Sequence, residues 1–386
     1  MKQIPYARQH ISEEDSRAVL EVLHSDWLTQ GPAIERFERA VADYCGVKYA
    51  VAVSNGTAAL HLACLALELG EGDIYWTSPN TFAATANCAL YCRANIDFVD
   101  IDPKSYNISV AAMEEKLVQA EKHGKLPKVV APVHFSGQSC EMARIKALSE
   151  QYGFSILEDA CHAIGSEYQG KKVGSCEFSD AAVFSFHPAK IITTGEGGMV
   201  VTNEVKLFEK LMRYRNHGIV RKQKKVTDKF SPWFYELVDL GHNYRITDIQ
   251  VALGISQLGR LDQFVERRRE VAKNYSRALD ELPVIVPWQH PDSESSYHLY
   301  VICLDSSEVS RSREQILDTL RKNGIGAHVH YIPVHTHPYY QKLGFKYGDF
   351  PSSEKYYQTA ISLPMFYGLT TEDQDRVIDN LRNAFS

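Results

Sequence analysis

Short apolar runs alternate with amphipathic stretches through the first 250 residues. "YAVAV" (49–53) has the length and bulk of a strand, and the segment after it places Leu60, Ala63, Cys64 and Leu67 on one helical face. The pattern returns in "DIYWTS" followed by "TFAATANCALYC", in "NIDFVDI", and in "KVVAPVHF" followed by a helix striped with Met142, Ile145, Leu148 and Tyr152. It returns again in "FSILED", "DAAVFSF" and "GGMVVTN". Strands and helices alternating at this length predict an α/β architecture, a mostly parallel sheet covered on both faces. From Thr247 the texture changes to one helical run through Leu279, with Leu258, Leu261 and Val265 along one side. "YHLYVICL", a helix over 312–323 and "GIGAHVHYIPV" then read as a smaller α+β unit. The domain boundary is expected near residue 250, giving a large domain over 1–250 and a small C-terminal domain over 251–386.

Composition narrows the function classes. With 386 residues, 44% hydrophobic and 23% charged, the chain has the make-up of an ordinary globular protein about twice the size of a typical domain. The net charge is −6, and the densest basic run, "RKQKK" (Arg221 to Lys225), reads as a solvated loop, so no nucleic acid partner is expected. No apolar run approaches about 18 residues, and no charged-then-apolar leader opens the chain. Neither a membrane span nor a secretory signal is expected, which implies a cytoplasmic protein. Eight cysteines are scattered without a C-x-x-C pair, and Cys88 and Cys92 lack a partner at zinc-finger spacing. They read as buried free thiols, with no metal expected.

The chemistry concentrates at strand ends. Lys190, in "FSFHPAKIITTGEGGMV", is the only charged side chain between Asp180 and Glu196. It is either a strand-end lysine that snorkels to water or one desolvated enough to act as a nucleophile. In a doubly wound sheet ligands gather at the carboxyl ends of the strands. After "YAVAV" comes "SNGTAAL", where Gly56 permits a sharp turn and Thr57 and Ala58 start a helix. Free N–H groups there, with the Thr57 hydroxyl, would cradle a phosphate; alone, the stretch is equally an ordinary capped turn. Asp159 ends the apolar run "FSILE", a costly place for a carboxylate unless it meets a cation, such as a protonated pyridine nitrogen, or caps a helix. Phe82 offers either a flat shelf for a ring or plain core packing, and His162 either a hydrogen bond to a ring oxygen or a local one. Together these are the needs of pyridoxal 5′-phosphate. A dinucleotide site would need G-x-G-x-x-G after the first strand; "SNGTAAL" lacks it and "GEGG" precedes a strand.

The stretches "LTQGPAIERFE", "SNGTAAL", "SPNTFAATAN", "EDACHAIGSEY", "FSFHPAKIITTGEGGMV", "RNHG", "GHNYRITDIQVALGISQL" and "HYIPVH" resemble the DegT/DnrJ/EryC1 family of sugar aminotransferases, nearly end to end. The resemblance implies the aspartate-aminotransferase fold (PLP fold type I), with Lys190 forming an imine with the cofactor aldehyde. It implies that Asp159 pairs with the pyridine nitrogen and that Phe82 stacks on the ring. Gly56, Thr57 and Ser185 would hold the phosphate, and Asn243 of "GHN" would reach it from the other subunit of an obligate homodimer. His162 would bond the ring oxygen, where many relatives carry Gln. Dehydratases of the family carry histidine in place of the lysine, so Lys190 implies transamination, and Lys190 with Asp159 argues against the alternative of a non-catalytic binding or regulatory protein on the same fold. Within the family the likeness is greatest to the pseudaminic-acid branch. That implies glutamate as donor and UDP-2-acetamido-2,6-dideoxy-β-L-arabino-hexos-4-ulose, a UDP-4-keto sugar, as acceptor, with bacillosamine- and perosamine-type acceptors as alternatives. Thr29, Gly31, His217 and the stretch from His328 to His335, including His330 and Tyr331, are expected to line the sugar-nucleotide site.

Overall fold

Each of the strand-like runs of the first 202 residues becomes a strand of one sheet. In the computed structural model, which describes residues 3–221, 225–226, 229–230, 233–305 and 307–385, these are β1 (Tyr49–Val53), β2 (Ile74–Thr77), β3 (Asn95–Phe98), β4 (Val129–Ala131), β5 (Ser155–Asp159), β6 (Ala181–Ser185) and β7 (Gly198–Thr202). Residues 222–224 of the basic run lie outside the described residues. The strands lie in the order β1-β7-β6-β5-β4-β2-β3. Only β7 is reversed, pairing antiparallel with β1 and β6 while the other pairs are parallel. The strands are nearly continuous apolar runs because helices cover both faces. Helices α1 (Glu13–Leu23), α2 (Pro32–Cys45), α3 (Gly56–Ala66) and α4 (Ala83–Tyr91) supply much of that cover. Leu60, Ala63 and Cys64 of α3 pack with Ala86 and Ala89 of α4 over Val51, Val183 and Val200. Phe37 and Val41 of α2 pack against Ala50, Phe184 and Met199 on the opposite face.

The expected single helix from Thr247 to Leu279 is two, α5 (Asp248–Leu258) and α6 (Leu261–Leu279). Between them Arg260 leaves helical geometry (φ −118°, ψ 9°). Its guanidinium donates to the buried Asp15 carboxylate of α1 at 2.6 Å and lies 5.1 Å over the Phe264 ring. A tertiary ion pair thus overrides a periodicity that reads straight through the break. Thr247 starts α5 with a reciprocal cap: its hydroxyl accepts from the Gln250 N–H, and the Gln250 side chain accepts from the Thr247 N–H.

The C-terminal residues build a second, antiparallel sheet of β8 (Val284–Ile285), β9 (Tyr300–Leu304) and β10 (Ala360–Leu363). Helices over Arg313–Lys322 and Thr371–Phe385 close its core, together with the later half of α6 (Val271, Tyr275, Leu279). The earlier half of α6 (Leu261, Phe264, Val265) belongs instead to the α2 side of the large sheet. Ile4, near the start of the chain, is buried in the C-terminal core and bridges Ile325. All eight cysteines are free, seven of them buried and Cys161 half-buried. No helix among the described residues is long and apolar enough to cross a membrane.

Candidate active site

A cavity of about 900 Å³ opens at the carboxyl ends of β1, β5 and β6, where the sequence places its chemistry. Its floor begins with α3. Asn55 is the N-cap and spends its side-chain oxygen on the Ala58 N–H at 2.8 Å. The first N–H groups of α3, at Gly56 and Thr57, precede any intrahelical bond and face the cavity with the positive end of the helix. Gly56 is favoured by close approach rather than by an unusual turn: a Cβ there would lie 3.1 Å from Cβ and 3.3 Å from Oγ of Ser185 at the end of β6. Gly198 of β7 is tighter, since a Cβ would come within 2.4 Å of the Asn55 carbonyl.

Asp159, the last residue of β5, is buried at 4% exposure and its carboxylate is held from two sides. Thr85 of α4 donates to Oδ2 at 2.6 Å, and the Cys161 N–H donates to Oδ1 at 3.1 Å. Lys190 stands in the turn after β6, its own N–H bonded to the His187 carbonyl at 2.8 Å. Its amine lines the cavity with no hydrogen-bond or ion-pair partner among the described residues. Burial pushes its pKa below that of an ordinary lysine, against the raising pull of Cys161 and Asp159. Burial drives the Cys161 thiol well up, so it is neutral, and Asp159 is the anion that Lys190 faces.

Phe82, at the N-cap of α4, is 63% exposed at the cavity wall, where a large aromatic ring has a face left to cover. His162 is buried. Its Nε2 lies 3.0 Å from the Tyr331 hydroxyl, while its Nδ1 is enclosed with no partner. The ring of His298 lies 4.3 Å away, and its Nδ1 is likewise unpartnered. Burial holds both histidines well below the usual imidazole range and therefore neutral, with Lys190 next in effect for His162, and His162 and then Lys190 for His298. His328, His330 and Tyr331 complete the wall from the C-terminal unit. A second cavity, of about 730 Å³ near Arg313 and Tyr357, shares no residue with this one.

The structure thus brings together Gly56, Thr57, Phe82, Asp159, His162, Ser185, Lys190, His328, His330 and Tyr331 around one cavity. Thr29, Gly31, His217 and Asn243 do not line it within a single chain. Thr29 is exposed and bridges Thr247, and the Gly31 N–H is bonded to Asp248 at 2.8 Å. His217 and Asn243 are exposed on paired segments, Asn216 bridging Asn243. Two residues escaped the sequence reading: Thr85, which looked like helix interior, and His298, which precedes a strand far along the chain. A threonine in the first turn of a helix that follows an aromatic cap was the available signal for Thr85; for His298 there was none.

Residues 9–382 match the DegT/DnrJ/EryC1/StrS aminotransferase family. The chain belongs to this family. Its aminotransferases act on sugars with pyridoxal phosphate, and this chain is one of them. It is 39% identical to the spore coat polysaccharide biosynthesis protein SpsC of Bacillus subtilis, over 98% of this chain and 96% of that one. It is 38% identical to the UDP-4-amino-4,6-dideoxy-N-acetyl-β-L-altrosamine transaminase of Campylobacter jejuni, with the same coverage. Among solved structures, PseC of Helicobacter pylori, an aminotransferase involved in the biosynthesis of pseudaminic acid, superposes with a TM-score of 0.90 at 35% identity, over 100% of this chain and 99% of that one. The fold agrees with the α/β aminotransferase expectation. The donor set also fits the cofactor. A helix N-terminus suits a phosphate, a buried carboxylate a pyridine nitrogen, a partnerless lysine an aldehyde, and an orphaned buried imidazole nitrogen a ring substituent.

Proposed function

We propose that the chain transfers the amino group of glutamate to C4 of UDP-2-acetamido-2,6-dideoxy-β-L-arabino-hexos-4-ulose, in pseudaminic acid biosynthesis, as a cytoplasmic homodimer. The observation that carries the chemistry is the partnerless Lys190 amine facing the doubly hydrogen-bonded Asp159 carboxylate. Pyridoxal phosphate, when bound, supplies an aldehyde that takes up an amino group and a ring that draws off electrons as a proton leaves carbon. The protein's part is to hold and to move protons. Lys190, its pKa lowered by burial, presents more neutral amine at neutral pH than a surface lysine does, so its Nζ can bond a carbonyl carbon and later accept and return a proton. Asp159 supplies the fixed negative charge for the ring nitrogen. Gly56, Thr57 and Ser185 bind the phosphate at the start of α3, Phe82 covers one ring face, and His162 meets a ring oxygen. Glutamate and sugar bind in turn, giving ping-pong kinetics.

Asn243 completes the phosphate site of a second copy, and Thr29, Gly31, His217, His328, His330 and Tyr331 contact the sugar nucleotide. Support for the dimer is exposed apolar side chains in the segment that leads to Asn243: Trp233 is 78% and Leu240 88% exposed. The eight unpaired cysteines support a reducing compartment. A large cofactor domain over 1–250 and a small domain over 251–386 form part of the same proposal.

The acceptor rests on the likeness to the Campylobacter transaminase and to PseC. The comparable identity to SpsC supports the second reading, another nucleotide-linked 4-keto sugar of bacillosamine or perosamine type. A competition assay decides. The D-xylo epimer of the acceptor differs at C5, in where its methyl points, and a misplaced methyl costs about 1–3 kcal/mol, roughly 10- to 200-fold in selectivity. With both ketones at equal concentration and glutamate as donor, the L-arabino sugar should be consumed first; preference for the D-xylo epimer would reject the assignment and leave the Lys190 chemistry untouched.

A further inference from the structure

We propose that Thr85 is a positioning residue for amino transfer: its hydroxyl holds the Asp159 carboxylate aimed into the cavity, and Thr81 sets the direction of that hydroxyl. The inference rests on the reading that Asp159 faces the ring nitrogen of pyridoxal phosphate.

Three buried oxygens form a line. Thr81 Oγ1 lies 2.8 Å from Thr85 Oγ1, which lies 2.6 Å from Asp159 Oδ2. The three residues are 2%, 1% and 4% exposed, so water does not compete for these contacts. A hydroxyl has one proton to give, and an ionised carboxylate only accepts. The Thr85 proton is therefore committed to Asp159, and the remaining contact can be made only if Thr81 donates to Thr85. The chain of donation runs one way, from Thr81 through Thr85 to Asp159. The 2.6 Å separation is that of a charge-assisted O–H···O⁻ bond. Together with the Cys161 N–H on Oδ1, Thr85 places a donor on each carboxylate oxygen, so the carboxylate is held from both sides.

Local structure shows that this hydroxyl is diverted from its ordinary use. A helical threonine usually turns its hydroxyl to the carbonyl four residues back. Here the residue four back is Thr81, which lies before α4 begins, and Thr85 meets its hydroxyl instead. Thr85 also shares the first turn of α4 with the Phe82 cap, its N–H donating to the Phe82 carbonyl at 3.1 Å. One helix start therefore presents both the exposed ring and the donor that orients the carboxylate.

The acidic groups that interact with Asp159 are neutral. From β2, the turn after β5 and the C-terminal wall it faces Tyr75, Cys161 and Tyr331, all pushed by burial to high pKa and so neutral. Lys190, from the turn after β6, is the cation opposite, and the neutral His162, His298 and His330 stand around that lysine. The other carboxylate that lines the cavity, Glu196, is exposed, whereas Asp159 is buried.

The test uses holoenzyme and two substitutions, the isosteric Thr85→Val without the hydroxyl and the smaller Thr85→Ser with it. The readout is the pH titration of the visible absorbance of the cofactor bound at Lys190. A positive charge on the ring nitrogen disfavours a second one at the lysine-linked nitrogen; if Asp159 holds that charge less well, the protonated, visibly absorbing form persists to higher pH. Thr85→Val should raise the apparent pKa by about one pH unit or more, the size of effect a lost neighbouring charge produces. Its kcat should fall about tenfold while KM for glutamate holds, and Thr85→Ser should titrate like wild type. Wild-type titration in folded Thr85→Val, or a Ser variant that behaves as Val does, would overturn the proposal. Should Thr85→Val not fold, Thr81→Val, which removes only the far donor, must show a smaller shift in the same direction, and no shift overturns it equally. A wild-type protein whose visible band does not depend on Lys190 would overturn the cofactor reading itself, and with it this one.

Discussion

The hydroxyl of Tyr331 stands 3.0 Å from Nε2 of His162, so the C-terminal unit clasps the turn that follows Asp159. That contact closes a group of buried imidazoles, His162, His298 and His330, at the back of the cavity. Burial is the largest influence on each of the three and lowers its pKa, with Lys190 adding to the effect.

Acid should therefore weaken the fold through these residues. His330 is lowered to about 3, by burial first and then by His328 and Lys190, whereas an unfolded histidine titrates near about 6.5. A depressed folded pKa means that the unfolded chain takes up the proton first. The stabilising contribution is whole above about pH 6.5 and is lost as pH falls toward about 3. One such group contributes a slope of at most about 1.4 kcal/mol per pH unit. Denaturant unfolding at pH 7 and pH 5 should show a shallower loss for His330→Asn than for wild type; parallel losses would count against the account.

Lys190 should carry the cofactor. Borohydride treatment of purified protein should fix pyridoxal phosphate to the peptide containing Lys190, and Lys190→Ala should take no covalent label. Labelling of the variant at another lysine would move the assignment.

Asp159→Asn keeps the shape of the side chain and removes its charge. We expect the cofactor to remain bound and turnover to fall by about two orders of magnitude, a loss typical of a preorganised electrostatic contact. Single-turnover kinetics with glutamate give the measurement, and near-normal rates would remove Asp159 from its role.

Asn243 is exposed and lies outside the cavity of its own chain. If it serves a second copy, inactive Asn243→Ala and inactive Lys190→Ala chains should regain activity on mixing, because a hybrid dimer holds one intact site. Mixing that exchanges subunits without restoring any activity would contradict a shared site.

Much of this arrangement is legible in the sequence, because the relevant residues interrupt otherwise apolar runs. Lys190 and Asp159 stand out as charges at strand ends, and Gly56 follows a strand and opens a helix. What escapes is the set of contacts whose partners are distant in sequence. Thr85 looks like one more small residue of α4 until Asp159 is folded against it, and His298 gains meaning only beside His162. The break at Arg260 was hidden for the same reason: the hydrophobic stripe continues across it, and only the buried Asp15 draws the arginine out of the helix.

Helix α6 carries a consequence for how the molecule comes apart. Its 19 residues make a rod about 28 Å long, with Leu261 and Phe264 set in one core and Tyr275 and Leu279 in the other. Melting either core strips the rod of half its burial, and Ile4 adds a second tie by fastening the beginning of the chain into the later core. The two halves should therefore denature in one calorimetric transition, and the wall bearing Tyr331 should be lost at the same temperature as the floor bearing Lys190.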